Sequence, residues 1–334
     1  MDYKKTLLTL MWWIHGAIRF LLAVTLLYNG AIKLGLGQFG IPDMGDALIS
    51  QGEMSPMGLL SRMVAFSPLF QFLAGVSEVG AAVALIWRRT IVLGGMIGVA
   101  SMAFIFVLNL GYDMPGKQIS LALLIMSAIV ILPWMTRLTK ALVGNGHISA
   151  VTTPTLIPWP KFSRVTRIGG PITGVVILGL VAWFSLTTQP VREINESAPA
   201  GVWVVQEDTE TPAAQLSEDK RWQKIAFGDV EKNGTANVQV RIADGSLLEG
   251  TYQRVGAETI QLKLRELRKP GEKIVDYYSM PEQNIELVFQ EQPDGTIRLS
   301  GEDKNMVIVT DYDARLLYDR GFNWGIRVDD PFER

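Results

Sequence analysis

The chain has 334 residues, of which 48 % are hydrophobic, and it carries a net charge of −2 with no cysteine. Its 31 Lys and Arg divide into 14 before residue 200 and 17 after it, and its 33 Asp and Glu into 8 and 25, so the two parts carry 14 − 8 = +6 and 17 − 25 = −8. This asymmetry is typical of a membrane unit joined to an acidic soluble unit. The lack of cysteine excludes disulfides, thiolate metal sites and dithiol redox chemistry.

Five apolar segments are long enough to cross a bilayer, which takes about 20 helical residues. We interpret the first four as a helical bundle within residues 1–150. The fifth follows a cytoplasmic linker, within residues 151–190, and tethers an outer domain at residues 191–334. Residues 39–67, between the first two spans, are rich in Met, Gly and Pro and indicate an interfacial or re-entrant element. The five spans are residues 7–28, 69–87, 91–110, 119–134 and 169–186.

The short connections predict the orientation, because Lys and Arg favour the cytoplasmic side. Lys4 and Lys5 precede the first span, and Arg88 and Arg89 lie between the second and the third. Basic residues also fill the connection between the fourth and fifth spans, whereas the opposite connections carry three basic residues against four acidic ones. The N-terminus is therefore predicted to be cytoplasmic. Five spans then place the C-terminal domain outside, in the periplasm of a bacterial cell with this chain in its cytoplasmic membrane.

Two strong charges lie deep within the spans. Glu78 is near the middle of the second span, and Arg19 lies inside the first. At about 1.5 Å per residue, Arg19 is roughly 18 Å and Glu78 roughly 13 Å from the cytoplasmic ends of their spans. A buried carboxylate is costly in hydrocarbon unless it is paired, so we predict an Arg19–Glu78 ion pair. This pair either fixes the register of two helices or lines a cavity that binds or moves a ligand.

A second polar group lies near the outer ends of the spans. Tyr28 and Lys33 end the first span, and Asn109, Tyr112 and Asp113 end the third. These residues form a candidate site for a polar headgroup. The alternative for the loop residues is a solvated turn, which the Pro-Gly pair in this loop also predicts. The alternative for Tyr28 is an interfacial aromatic belt.

Metal and haem sites are not indicated, since the chain has only two histidines and no spacing typical of metal ligands. We interpret His15, in the first span, as a bundle residue with satisfied hydrogen bonds or as part of a network around Arg19. It is included among the candidate ligand-binding residues. No covalently bound cofactor and no nucleic-acid partner is predicted.

Residues 191–334 alternate apolar with polar side chains in short runs such as ANVQVRIA, TIQLKLR and NIELVFQ. Turn sequences such as NGT and PDGT separate the runs. Period-two alternation with frequent Gly, Asp and Pro predicts an all-β, extracytoplasmic antiparallel meander, closed or nearly closed and lipocalin-like. The domain either encloses a ligand cavity or is a packed interaction module, and we favour the module.

Several short motifs stand out in residues 1–140: Arg19, YNGAIKL at residues 28–34, GVSEVGAAVAL at residues 75–85, the turn at residues 88–90 and NLGYDMPGK at residues 109–117. These motifs make residues 1–140 resemble the DoxX family of bacterial membrane proteins. The ending LLYDRGFNW…DDPFER is similar to that of DoxX-like proteins with an added outer domain. The resemblance implies a four-helix bundle like that of quinone-reducing membrane proteins. It makes Arg19, Glu78, Asn109 and Tyr112 candidate binding residues.

Two functions from different classes are expected. In the first, the chain is an accessory subunit or a quinone- or lipid-binding subunit of a larger membrane complex, and it contacts other membrane or envelope subunits through its outer domain. In the alternative, it is a membrane oxidoreductase component of the thiosulfate:quinone oxidoreductase type, an activity that the resemblance implies through founding members of the family. Because the chain has no cysteine, a partner subunit would then supply the electrons. Whether the chain catalyses a reaction stays open between these two.

Overall fold

The structure is a computed structural model that describes residues 3–144, 160–188, 192–269, 271–301, 303–319 and 325, without the side chains of residues 160–168 and 274. Residues 154–159 of the Pro-rich linker and most of the C-terminal motif lie outside the described residues. The chain forms two compact units. Unit 1 comprises Met1–Ile41 and Met54–Gln189, and unit 2 comprises Pro42–Glu53 and Pro190–Arg334.

Unit 1 is helical. Among the described residues, four helical stretches are long and apolar enough to cross a membrane, and a bent helix pair adds a fifth if it is one span. This confirms a unit with several apolar helices able to span a membrane. The helices are α1 Tyr3–Leu34, α2 Pro56–Phe66, α3 Pro68–Ala84, α4 Ile91–Gly111, α5 Lys117–Ile131, α6 Met135–Val143 and α7 Pro160–Thr187.

The bent pair consists of α2 and α3, which meet at an angle of 93°. Both helices begin with a Ser-Pro pair. Ser55 accepts a hydrogen bond from Gly58 N at 3.0 Å before α2, and Ser67 accepts one from Phe70 N at 3.3 Å before α3. A serine N-cap followed by proline at the first helical position is a strong helix start. The second Ser-Pro pair therefore begins a new helix instead of continuing α2.

The core of unit 1 lies where α1, α3, α4 and α5 pack together, with α7 against α1. Its centre includes Leu22, Leu26, Ala81 and Val130, which are fully or almost fully buried. The outward faces are also apolar, with more than half of Leu110 exposed, for example. A helix that is hydrophobic on all sides suits a lipid environment.

Unit 2 is built around a closed antiparallel barrel of eight strands in the order β10-β2-β3-β5-β6-β7-β8-β9, and β1 pairs with β4 beside it. The predicted antiparallel meander is confirmed, and it closes. The strands are β1 Arg192–Ile194, β2 Gly201–Asp208, β3 Trp222–Phe227, β4 Val230–Lys232, β5 Ala236–Ile242, β6 Leu247–Arg254, β7 Thr259–Glu266, β8 Gln283–Glu291, β9 Ile297–Gly301 and β10 Asn305–Thr310. Two short helices follow β7 and β10, α8 Ile274–Ser279 and α9 Leu316–Asp319.

Side chains fill the interior of the barrel. Phe227, Ile260 and Leu287 are fully buried, and the rings of Phe227 and Tyr252 meet edge to face with centroids 5.2 Å apart. Tyr252 donates a hydrogen bond to the carbonyl oxygen of Gly228 at 2.7 Å, and burial raises the pKa of Tyr252 to about 12. Small barrels with such interiors are packed cores. This packing favours the interaction module over the ligand cavity.

Residues 42–53, from the connection between α1 and α2, belong to the barrel unit. Asn237 donates a hydrogen bond to Asp43 at 2.9 Å. Arg241 donates to both carboxylate oxygens of Glu53 at 2.6 and 2.7 Å, and these bonds lower the pKa of Glu53 to about 2. Residues 42–53 of the predicted interfacial or re-entrant element therefore belong to the barrel unit, whereas α2, in the same element, belongs to the bent helix pair.

Asp43 gives this attachment a pH dependence. Burial raises the pKa of Asp43 to about 6, although the Gly45 N–H that donates to it acts in the opposite direction. Because this pKa lies above the unfolded value, folding favours the protonated form. The stabilisation is complete below about pH 4 and is lost as the pH rises through about 6.

Amide hydrogen exchange of residues 44–49 should therefore speed up between about pH 4 and pH 7, beyond the intrinsic rise in exchange rate. Asp43→Asn should remove this excess, because asparagine does not titrate. Asp294→Asn, in the exposed turn before β9, is the matched control and should leave it unchanged. If the wild type shows no excess exchange, or if Asp43→Asn retains it, Asp43 is not the source of the pH dependence.

Candidate functional site

A buried ion pair joins α1 to α3. Lys33 Nζ donates a hydrogen bond to Glu78 Oε1 at 2.5 Å, and the two side chains are 9 % and 1 % exposed. The predicted Arg19–Glu78 pair is therefore wrong. Helical side chains lean towards the N-terminus of their helix. Lys33 thus reaches back along α1 to Glu78. The prediction of Arg19 used only the depth of each residue in its span and not the direction of its side chain.

Two glycines set the register that brings this pair together. A Cβ atom on Gly30 would lie 2.8 Å from Val79 Cγ2 and 3.0 Å from Glu78 Cβ. A Cβ atom on Gly75 would lie 2.9 Å from the carbonyl oxygen of Gly30 and 3.1 Å from Lys33 Cβ. The backbones of α1 and α3 can approach this closely only because both positions lack a side chain, as in small-residue contacts between membrane helices.

Gly75→Ala should therefore separate α1 from α3 and destabilise unit 1 by about 1–3 kcal/mol, the usual cost of overpacking. Gly80→Ala is the matched control in the same helix, because a Cβ atom there meets nothing within 4 Å. The control should be neutral or slightly stabilising through its helix propensity. Thermal unfolding in one detergent measures both variants, and equal melting temperatures would rule out the close contact.

A cavity of about 130 Å³ lies beside the ion pair. At roughly 30 Å³ for each water molecule, it has room for about four waters or for a small polar headgroup. On its polar side, Asn109 Nδ2 donates a hydrogen bond to Ser120 Oγ at 3.1 Å. Helices α1, α3, α4 and α5 supply walls. The lining residues are Leu26, Asn29, Lys33, Gln38, Glu78, Met102, Ile105, Asn109, Gly116, Ile119, Ser120 and Leu123.

The second carboxylate oxygen of Glu78, Oε2, is the feature of this cavity that points to a ligand. Oε2 is buried, and no group of the described residues donates a hydrogen bond to it. A buried acceptor without a partner costs about 1–3 kcal/mol, and more when it is charged. The Lys33 ammonium has three N–H donors, of which one is directed to Glu78 Oε1. The site therefore offers both an acceptor and donors to a molecule in the cavity.

Three of the eight predicted residues, Lys33, Glu78 and Asn109, thus line one cavity. His15 does not belong to it. His15 Nε2 lies 3.0 Å from the carbonyl oxygen of Val130, and its ring packs against Trp12 and Trp134 with centroid distances of 5.2 and 5.7 Å. These contacts fit the interpretation of His15 as a satisfied bundle residue.

The other four predicted residues also lie away from the cavity lining. Asp113 forms an ion pair with Lys117 on the first turn of α5. Tyr28 is 44 % exposed on α1, as an interfacial aromatic residue would be, and Tyr112 follows the end of α4. Arg19 lines a separate cavity with the connection between α3 and α4.

Sequence reasoning missed Ser120 and Gln38 in the cavity wall. Ser120 is one of two serines in an apolar span, and such hydroxyls are common enough to carry little information by themselves. Its hydrogen bond with Asn109 could have been expected, because both residues flank the same short connection between α4 and α5. Gln38 follows the end of α1, and its position depends on the loop conformation.

A comparison of the chain with protein-family models, curated proteins and solved structures found no match in any of the three. Within the described ranges, no group of three or more His, Cys, Asp or Glu residues could hold a metal ion. A functional proposal for this chain therefore depends on the chemistry of its own residues.

Proposed function

We propose that the chain is a DoxX-like protein of the bacterial cytoplasmic membrane that binds a quinone or lipid headgroup beside Glu78 and acts as an accessory subunit of a larger membrane complex. The observation that carries the proposal is the buried Oε2 of Glu78, which lacks a partner among the described residues and belongs to a cavity-lining side chain. Ionisable groups inside membrane spans commonly mark ligand or ion sites.

The cavity suits an amphiphile with hydroxyl or carbonyl oxygens. The hydroxyl of a quinol or a lipid headgroup would donate to Glu78 Oε2. The carbonyl oxygen of a quinone or an ester would accept from Lys33. Apolar side chains such as Met102, Ile105 and Leu123 complete the wall and would contact the apolar part of the ligand. Pockets with few polar groups in an apolar lining are typical of small-molecule sites.

Extraction of bound molecules tests this proposal. The full chain is purified from bacterial membranes in a mild detergent, and its quinone and lipid content is measured by mass spectrometry. Wild type should retain a quinone or lipid that Glu78→Gln loses. In the variant, Lys33 would engage the amide oxygen, and the amide NH2 in place of Oε2 donates hydrogen bonds and cannot accept one from the ligand. Ser77→Ala, the adjacent position on α3, should retain it. A wild type without bound quinone or lipid, or a Glu78→Gln chain that binds both normally, would refute the site.

The accessory role is preferred to a complete oxidoreductase because the chain has no cysteine for a dithiol reaction. A role in electron transfer would require a partner subunit as the electron source. The acidic barrel unit, with its packed interior, is the proposed contact for envelope partners. Affinity purification from native membranes in a mild detergent should retain a second subunit. A chain that is always recovered alone would count against the accessory role.

The orientation can be tested cleanly because every cysteine in the chain would be an introduced one. The basic connections predict that the barrel lies outside and α6 lies in the cytoplasm. A membrane-impermeant thiol reagent should therefore label Ala213→Cys, on an exposed loop of the barrel unit, in intact cells. Lys140→Cys, exposed on α6, should react only after lysis. The reverse pattern would invert the proposed topology.

A further inference from the structure

A second and larger cavity, of about 620 Å³, lies in unit 1 between α1, the connection from α3 to α4, and α7. Three arginines line it: Arg19, Arg88 and Arg89. In the described part of the chain, no carboxylate forms an ion pair with any of these three. Among the described residues, these three cations therefore have no carboxylate partner at the cavity, which favours a negatively charged ligand.

The chemistry of the wall narrows the class of ligand. Arginine binds phosphate through paired N–H donors. The rest of the wall is largely apolar and includes Phe20, Val24, Ile86 and Leu178. A free inorganic anion would gain nothing from these apolar side chains, whereas an amphiphile would bury its hydrocarbon against them.

The predicted cytoplasmic location of two of these arginines also favours an anionic amphiphile. Arg88 and Arg89 occupy a connection that is predicted to be cytoplasmic. Basic pockets between membrane helices on the cytoplasmic side suit the headgroups of anionic lipids. Arg19 lies within α1, and its long side chain can extend along apolar neighbours while its guanidinium remains in a polar region.

We propose that this cavity binds the phosphate-bearing headgroup of an anionic phospholipid, with an acyl chain along the apolar wall. The proposal is independent of the site beside Glu78, because the two cavities share no lining residue.

Lipid titration of the full chain in a neutral detergent tests the charge requirement. Phosphatidylglycerol should bind, as detected by native mass spectrometry, and raise the melting temperature, whereas phosphatidylcholine and inorganic phosphate should do neither at equal concentration. Arg88→Gln/Arg89→Gln should weaken phosphatidylglycerol binding about tenfold or more. Arg137→Gln, on α6 and outside the cavity lining, is the control and should not. Equal binding of both lipids, or the same stabilisation by phosphate alone, would overturn the proposal.

A second pair of variants tests the cavity without removing a charge. A Cβ atom on Gly170 or on Gly179 of α7 meets nothing within 4 Å, but only Gly170 lines the cavity. Gly170→Phe should fill the site and abolish the stabilisation by phosphatidylglycerol, with all three arginines present. Gly179→Phe should retain it. Phosphatidylglycerol binding that survives Gly170→Phe, or is lost equally in Gly179→Phe, would exclude this cavity even if the arginine variants prove unstable.

Discussion

Replacing Glu78 with leucine is expected to destabilise the helical unit by about 3–5 kcal/mol, because it leaves the Lys33 ammonium buried without an anion. Lys33→Met should cost a similar amount by leaving the carboxylate alone. The double variant Lys33→Met/Glu78→Leu should recover most of the loss, since a buried ion pair can be replaced by apolar groups of similar size at little cost. Thermal unfolding of the four proteins in one detergent gives the coupling energy.

An exposed ion pair supplies the control for this cycle. Asp113 and Lys117 are four residues apart, and the Asp113 side chain is 77 % exposed. Lys117→Ala should have little effect, because solvent screens exposed pairs. If the double variant at Lys33 and Glu78 loses as much stability as the two single variants added together, the coupling energy is zero and the contribution of the two residues does not come from their mutual interaction.

Gly250→Ala is expected to have the largest effect on the barrel unit. A Cβ atom on Gly250, within β6, would lie 1.8 Å from the carbonyl oxygen of Lys263 on the neighbouring strand. In a closed barrel each strand is bonded on both sides, so β6 has no free edge towards which it can move. A loss of about 3 kcal/mol is expected, at the upper end of overpacking costs.

Hydrogen exchange of the β6 and β7 amides in the full chain measures this loss. The control is Gly256→Ala in the turn between the same two strands, where the nearest atom to an added Cβ lies 3.8 Å away on Thr259. That variant should exchange like the wild type. Wild-type protection in Gly250→Ala would contradict the close approach of β6 and β7.

Local patterns account for most of the fold. The period-two runs predicted the meander, because alternation of apolar and polar residues reflects one buried and one exposed face of each strand. The long apolar runs predicted the helices. The division between α2 and α3 lies where the predicted interfacial element at residues 39–67 ends and the predicted second span at residues 69–87 begins. The Ser-Pro pairs at Ser55 and Ser67 carry a recognisable helix-start signal there.

Contacts between distant residues were harder to predict. The hydrogen bond of Asn237 with Asp43 joins positions 194 residues apart, and neither residue has a local pattern that indicates the other. The prediction of Arg19 as the partner of Glu78 was wrong for a related reason. Depth along a span limits the candidates, but the glycine contact between Gly30 and Gly75 determines which face and level of α1 meets Glu78.

The most direct measurement is the ligand content of the double variant Lys33→Met/Glu78→Leu, which removes the polar site but is expected to keep the helices packed. Wild type and variant are purified in the same mild detergent, and similar melting temperatures confirm that both are folded. Bound quinone and phospholipid are then counted by mass spectrometry. The proposed site predicts about one fewer bound quinone or lipid molecule for each chain of the variant. Identical ligand content in the two proteins would show that the Lys33–Glu78 pair serves only to hold α1 against α3.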